Sequence, residues 1–72
     1  MMDQPNNIGA AIRRARKKAG LSQEASARYV GVSLNTWARW ERGEIVLNVD
    51  RLQQIARLLG VGADVLLAEK GS

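Results

Sequence analysis

From Ile8 the apolar positions recur as Ile8, Ala11, Ile12, Ala15 and Ala19, the spacing of one helical stripe. Asn7 stands where an N-cap is wanted and Gly20 where a helix commonly stops. A second helix is predicted from the cap Ser22 to about Val30, with Glu24 in its first turn matching the helix dipole. Gly31-Val32-Ser33 is too short for anything but a sharp corner. Gly31 can take the left-handed conformation that ends one helix, and Ser33 can cap the next, over Leu34 to Arg42, which Gly43 closes.

Glu44-Ile45-Val46-Leu47 is strand-like for only a few residues and reads as a loop packed on the core. Asn48 then caps a fourth helix with the buried stripe Leu52, Ile55, Ala56 and Leu59, ended by Gly60. A last short helix holds Val65, Leu66 and Ala68. Val32 with Trp37, Leu47 with Leu52, and Val61 with Leu66 occupy the positions of hydrophobic staples. The pattern predicts an all-α chain: five short helices in one compact bundle over residues 8–68, after a flexible N-terminus at 1–7 and before a polar tail at 69–72.

The chain has 72 residues, of which 46% are apolar, and its aromatic residues are Tyr29, Trp37 and Trp40. A core of Leu, Ile, Val and Ala suits packed helices better than a sheet. With no His and no Cys, the chain has no imidazole base, no thiolate nucleophile and neither of the two usual zinc ligands. Asp3, Glu44, Asp50, Asp64 and Glu69 are scattered over termini and helix starts. No catalytic residue, metal site or cofactor is therefore expected. Residues 1–7 lack a basic n-region and an apolar h-region. No stretch reaches the roughly 20 apolar residues of a membrane span, so a cytoplasmic location is expected.

The net charge of +4 is unevenly placed. Residues 13–42 hold eight basic and two acidic side chains; the remainder holds three basic and five acidic. A basic half beside an acidic half points to a polyanion held on one face.

Two short helices joined by a Gly-containing turn within such a surface are the sequence form of a helix-turn-helix, here at about 22–42. The blocks Gly20-Leu21-Ser22-Gln23-Glu24, Gly31-Val32-Ser33, Trp40-Glu41-Arg42-Gly43 and Leu52 to Val61, in this order and spacing, closely resemble the phage repressor and Cro-type (XRE-like) family across residues 8–68. The resemblance implies a lambda-repressor-like five-helix domain. It also implies a bacterial or phage, nucleoid-associated protein that binds double-stranded DNA and regulates transcription, most often as a repressor; the short reach of one recognition helix and the small size of the domain argue for a homodimer on a palindromic operator. A restriction-modification controller protein and an antitoxin are variants within the same family. A protein-interaction or adaptor module that keeps the helix-turn-helix as scaffold is the alternative of another class, and there, as for an antitoxin, the partner would be a protein.

Projected at 100° per residue from Leu34, helix three places Asn35, Arg39 and Arg42 at about 80° to 140° and Trp37, Trp40 and Glu41 at about 240° to 340°. The polar face has base-reading chemistry: Arg suits guanine O6 and N7 and Asn suits adenine N6 and N7, while Leu34 and Thr36, in the first turn, suit a thymine methyl. Leu34, Asn35, Thr36 and Arg39 are thus the candidate base readers. Ser33 with its following amides and Arg42 are candidate phosphate contacts, and the family resemblance adds Gln23.

Glu41 falls on the inner side of helix three, where an unpaired carboxylate would cost several kcal/mol. Arg16, about 80° from Ile8 on helix one, is the predicted partner in a structural ion pair, which the resemblance also implies. Two positions and one loop depart from the family pattern. Ser26 stands where Leu is usual, and Trp37 where Ile or Val is usual, an exchange that conserves volume if the two touch. Around Glu44 to Asn48 the Pro and basic residues that the family often has are missing, so one of its usual phosphate contacts is not expected from this loop. Ile45, Val46, Leu47, Val65, Leu66 and Leu67 are candidate dimer or partner contacts, with ordinary core the favoured reading for most of them.

Overall fold

In the computed structural model, residues 8–44 and 47–68 are described. They form α1 (Ile8–Lys18), α2 (Gln23–Val30), α3 (Leu34–Glu41), α4 (Val49–Leu59) and α5 (Ala63–Ala68). The expected cap Asn7 and the loop residues Ile45 and Val46 lie outside the described residues.

The caps act through their side chains. Ser22 accepts from the Ala25 amide, Ser33 from the Thr36 amide and Asn48 from the Arg51 amide, each satisfying a donor that the first helical turn leaves unpaired. The α2–α3 corner is set by Gly31 at φ 80°, a conformation that a Cβ disfavours. The Val32 amide then reaches back to the Ala27 carbonyl at 2.9 Å, a Schellman closure. Helix α3 is one residue shorter than its pattern predicts. Arg42 is its C-cap at φ −85° and ψ −2°, and the chain turns through Gly43 at φ 76°.

The core draws on all five helices: Ile12 from α1, Ala27 and Val30 from α2, Trp37 and Trp40 from α3, Leu52, Ile55 and Leu59 from α4, and Leu66 from α5. Val32, Leu47 and Val61, the outer members of the three staples, pack against it half-buried. Helix α3 lies against α1 and α2, α4 backs α2, and α5 closes against α1 and α4. Trp37 and Trp40 meet edge to face with ring centroids 5.7 Å apart, a favoured aromatic geometry.

Two contacts fix how the helices approach. A methyl group at Gly9 would stand 2.5 Å from the Trp40 carbonyl oxygen and 2.7 Å from that of Glu41, so α1 passes the end of α3 at a distance only glycine permits. Arg51 of α4 donates to the Val30 carbonyl at 2.8 Å and lies 5.6 Å from the centroid of the Trp40 ring. It thereby satisfies an orphan carbonyl of α2 and adds a cation–π contact to α3.

Candidate nucleic-acid interface

The two faces of α3 are separated as helical projection requires. Trp37, Trp40 and Glu41 are buried; Leu34, Asn35 and Arg39 are exposed, and Thr36 is half-buried. Leu34 leaves 49% of its surface open, an apolar residue held in solvent at the first turn of the helix. The Ser33 hydroxyl accepts the Thr36 amide at 3.1 Å and donates to Thr36 Oγ1 at 3.0 Å. That exchange fixes the rotamer of Thr36 beside the open α3 N-terminus.

The structure brings Arg16 and Glu41 together. Arg16 Nε donates to Glu41 Oε2 at 2.5 Å, and Nη2 to Oε1 at 3.2 Å, the bidentate fork that suits a guanidinium. Arg16 Nη1 is held by the Leu21 carbonyl at 2.8 Å. Two further donors reach the same carboxylate: Gln23 Nε2 at 2.9 Å and the Trp37 indole Nε1 at 2.6 Å. Burial pushes the Glu41 carboxyl up, but the hydrogen bonds from Arg16, Gln23 and Trp37 and the charge of Arg16 outweigh it and hold the pKa below its ordinary value of 4.5. Among the described residues no buried side-chain nitrogen or oxygen lacks a partner.

The sequence pattern does not reveal the roles of Gln23 and Trp37 at this carboxylate. Periodicity assigns each to a face but does not say which atoms meet across helices. Gln23, marked by resemblance as a phosphate contact, has one amide N–H bound to Glu41 and a second one still to place. It borders a shallow depression that also takes in Arg13, Ser22, Ala38, Arg42 and the Arg16–Glu41 pair. Arg13 thus joins Gln23 and Arg42 around the α2 N-terminus, a neighbourhood its place on α1 alone does not disclose.

Arg39 and Arg42 share one acidic neighbour. Glu44 Oε2 accepts from Arg42 Nε at 2.8 Å and Oε1 from Arg42 Nη2 at 3.3 Å, while Arg39 Nε stands 3.4 Å from Oε1. The hydrogen bond from Arg42 holds the Glu44 carboxyl below its ordinary value. Of the candidate partner contacts, Leu66 is corrected: at 1% exposure it is core and offers a second molecule no surface. Leu47 is half-buried against the core, whereas Val65 and Leu67 of α5 are 50% and 43% exposed. No group of three or more Asp or Glu that could hold a metal occurs among the described residues. No helix there is long and apolar enough to cross a membrane.

The helix-turn-helix domain family matches residues 7–69. The chain belongs to this family. An uncharacterized transcriptional regulator in the ATPase CF(0) region of Rhodospirillum rubrum is 33% identical over 63 residues, covering 88% of this chain and 58% of that protein. The chain therefore spans little more than half the length of that curated relative. Among solved structures, the clp gene regulator ClgR from Corynebacterium glutamicum superimposes with a TM-score of 0.86 at 26% identity, over 93% of this chain and 74% of its own. The DNA-binding domain of the P22 C2 repressor does so with a TM-score of 0.82 at 36% identity, over 97% of this chain and 88% of its own. The five-helix, strand-free architecture of the described residues is that of repressor DNA-binding domains.

Proposed function

We propose that this helix-turn-helix domain binds double-stranded DNA with sequence preference and acts as a transcriptional regulator. The observation that carries the reading is α3 itself. It presents Leu34, Asn35 and Arg39 to solvent while its opposite face is fixed in the core by Trp37, Trp40 and Glu41, within a family whose solved neighbours include a repressor's DNA-binding domain. In this reading α3 enters the major groove, where Arg39 and Asn35 contact purine edges and Leu34 and Thr36 lie near thymine methyls. Gln23, Arg42 and the capped α3 N-terminus at Ser33 contact phosphates, which set register and affinity rather than sequence. The chemistry is recognition alone, with no catalytic step.

One recognition helix covers too few base pairs for useful selectivity, so two copies acting on half-sites one helical turn apart, about 34 Å, complete the proposal. The exposed Val65 and Leu67 of α5 are the side chains offered for that pairing.

Selection of bound sites from random duplex DNA, repeated with Arg39→Ala, tests the reading. A base reader loses preference at one base pair per half-site, a cost of about 1–3 kcal/mol; uniform weakening at every sequence would make Arg39 a phosphate contact instead. With six to eight phosphates neutralised per dimer, log K falls against log salt with a slope of roughly −5 to −7. A flat salt response would remove the DNA reading in favour of a protein-interaction module.

A further inference from the structure

Glu44 is held where a carboxylate does little for the fold. Its amide closes α3 by donating to the Arg39 carbonyl at 2.9 Å, after Gly43 has turned the chain at φ 76°. The backbone therefore fixes an anion at the C-terminal end of a helix, the end the dipole makes unfavourable for negative charge. Its side chain is 46% exposed, and the Arg39 and Arg42 partners are 46% and 55% exposed. Ion pairs so open to solvent contribute little to folding. Yet one is the arginine on the solvent face of α3 and the other the exposed arginine that caps its C-terminus, and one carboxylate engages both of them.

We propose that Glu44 is an internal competitor for DNA phosphate. It occupies Arg39 and Arg42 in the free protein and suppresses binding to arbitrary sequence, so that only a site returning base contacts as well as phosphate contacts displaces it. Non-specific affinity comes almost wholly from cations that neutralise phosphates. A carboxylate paired with two of those cations lowers that affinity twice: it must be displaced, and its charge then faces the phosphates. Base contacts made by Arg39 add to specific binding alone, so the ratio of specific to non-specific affinity rises. This inference rests on the reading of the chain as a duplex-DNA binder.

The test compares wild type with Glu44→Gln, which keeps size and removes charge, by fluorescence anisotropy on a labelled duplex of random sequence across a salt series. Glu44→Gln is expected to bind about threefold tighter or more at the low-salt end. Its log K against log salt should be steeper by about 0.9 per protomer, with no loss of thermal stability. In an Arg39→Ala, Arg42→Ala background most of that gain should vanish. Equal affinity and slope for wild type and Glu44→Gln would overturn the proposal while leaving the DNA reading standing. A gain that survives in full without the two arginines would also overturn it, since Glu44 would then act only as a general negative charge. A wild-type protein that binds no duplex even at low salt would remove both.

Discussion

The indole N–H of Trp37 donates to Glu41 Oε2 at 2.6 Å, one helical turn along the same helix. The largest fully buried side chain in the core is therefore also a polar partner, in a position where an aliphatic residue would supply volume and nothing else. Trp37 fills space and completes the coordination of a buried charge.

Removal of that charge should be severe. Glu41→Ala leaves Arg16, whose side chain is only 10% exposed, with the Leu21 carbonyl and no counter-charge, and should cost about 3–5 kcal/mol. Chemical denaturation checks this. The double variant Arg16→Met, Glu41→Leu should recover much of the loss, because it strands no charge; an unchanged melting temperature for Glu41→Ala would sink the structural role of the pair.

Trp37→Val removes both the volume and the donor. The exchange should exceed the roughly 0.5–1.5 kcal/mol of a one-methylene trim and approach the 3–5 kcal/mol of a large core truncation. The neighbouring helix supplies at Ser26 a fully buried small side chain, whose hydroxyl is turned back onto the Ser22 carbonyl at 2.8 Å. Adding Ser26→Leu to Trp37→Val should restore at least about 1 kcal/mol if the two positions share one volume. Strict additivity in denaturant melts would show that they do not.

Gly9→Ala is expected to destabilise despite alanine's advantage of about 1 kcal/mol within a helix. The new methyl meets backbone carbonyls of Trp40 and Glu41, which cannot swing aside as a flexible side chain could. A net loss of about 1–3 kcal/mol follows from the overpacking. Thermal melts of wild type, Gly9→Ala and Gly9→Ser check this, serine being expected to cost at least as much as alanine.

The depressed pKa of Glu41 sets an acid limit. The carboxyl is more acidic folded than unfolded, so the stability it provides is present above its ordinary value of 4.5 and is lost as the pH falls through the folded value. Between about pH 7 and pH 3 the gap in unfolding free energy between wild type and Glu41→Gln should narrow below that value. A gap that stays constant over the range would show that the pair does not titrate with folding.

The helices and their ends were legible because each is written in local chemistry: Ser22, Ser33 and Asn48 as caps, Gly31 and Gly60 as stops, and the stripe of Leu52, Ile55, Ala56 and Leu59 as one face. The inward placement of Glu41 and the outward placement of Asn35 and Arg39 follow from rotation along a single helix. What could not be read is what depends on distance between helices. Gly9 looks like a weak helix residue until α3 is seen to lie against it. Gln23 reads as a surface amide until its nitrogen is found on Glu41. Arg51 carries no signal in sequence that it bonds the Val30 carbonyl and lies near the Trp40 ring. Leu66 and Leu67, adjacent and chemically equal, differ only in which side of α5 meets the bundle.

Glu41 collects donors from three helices: Arg16 of α1, Gln23 of α2 and Trp37 of its own α3. A change in tilt between any two of them would break a bond to a charge whose side chain is only 3% exposed. The angle at which α3 is presented is thus a fixed property of the domain, like the pitch of a die. If the domain binds duplex DNA as proposed, the duplex must do the adapting, and sequences that bend or twist easily at the uncontacted steps would be favoured for their compliance alone.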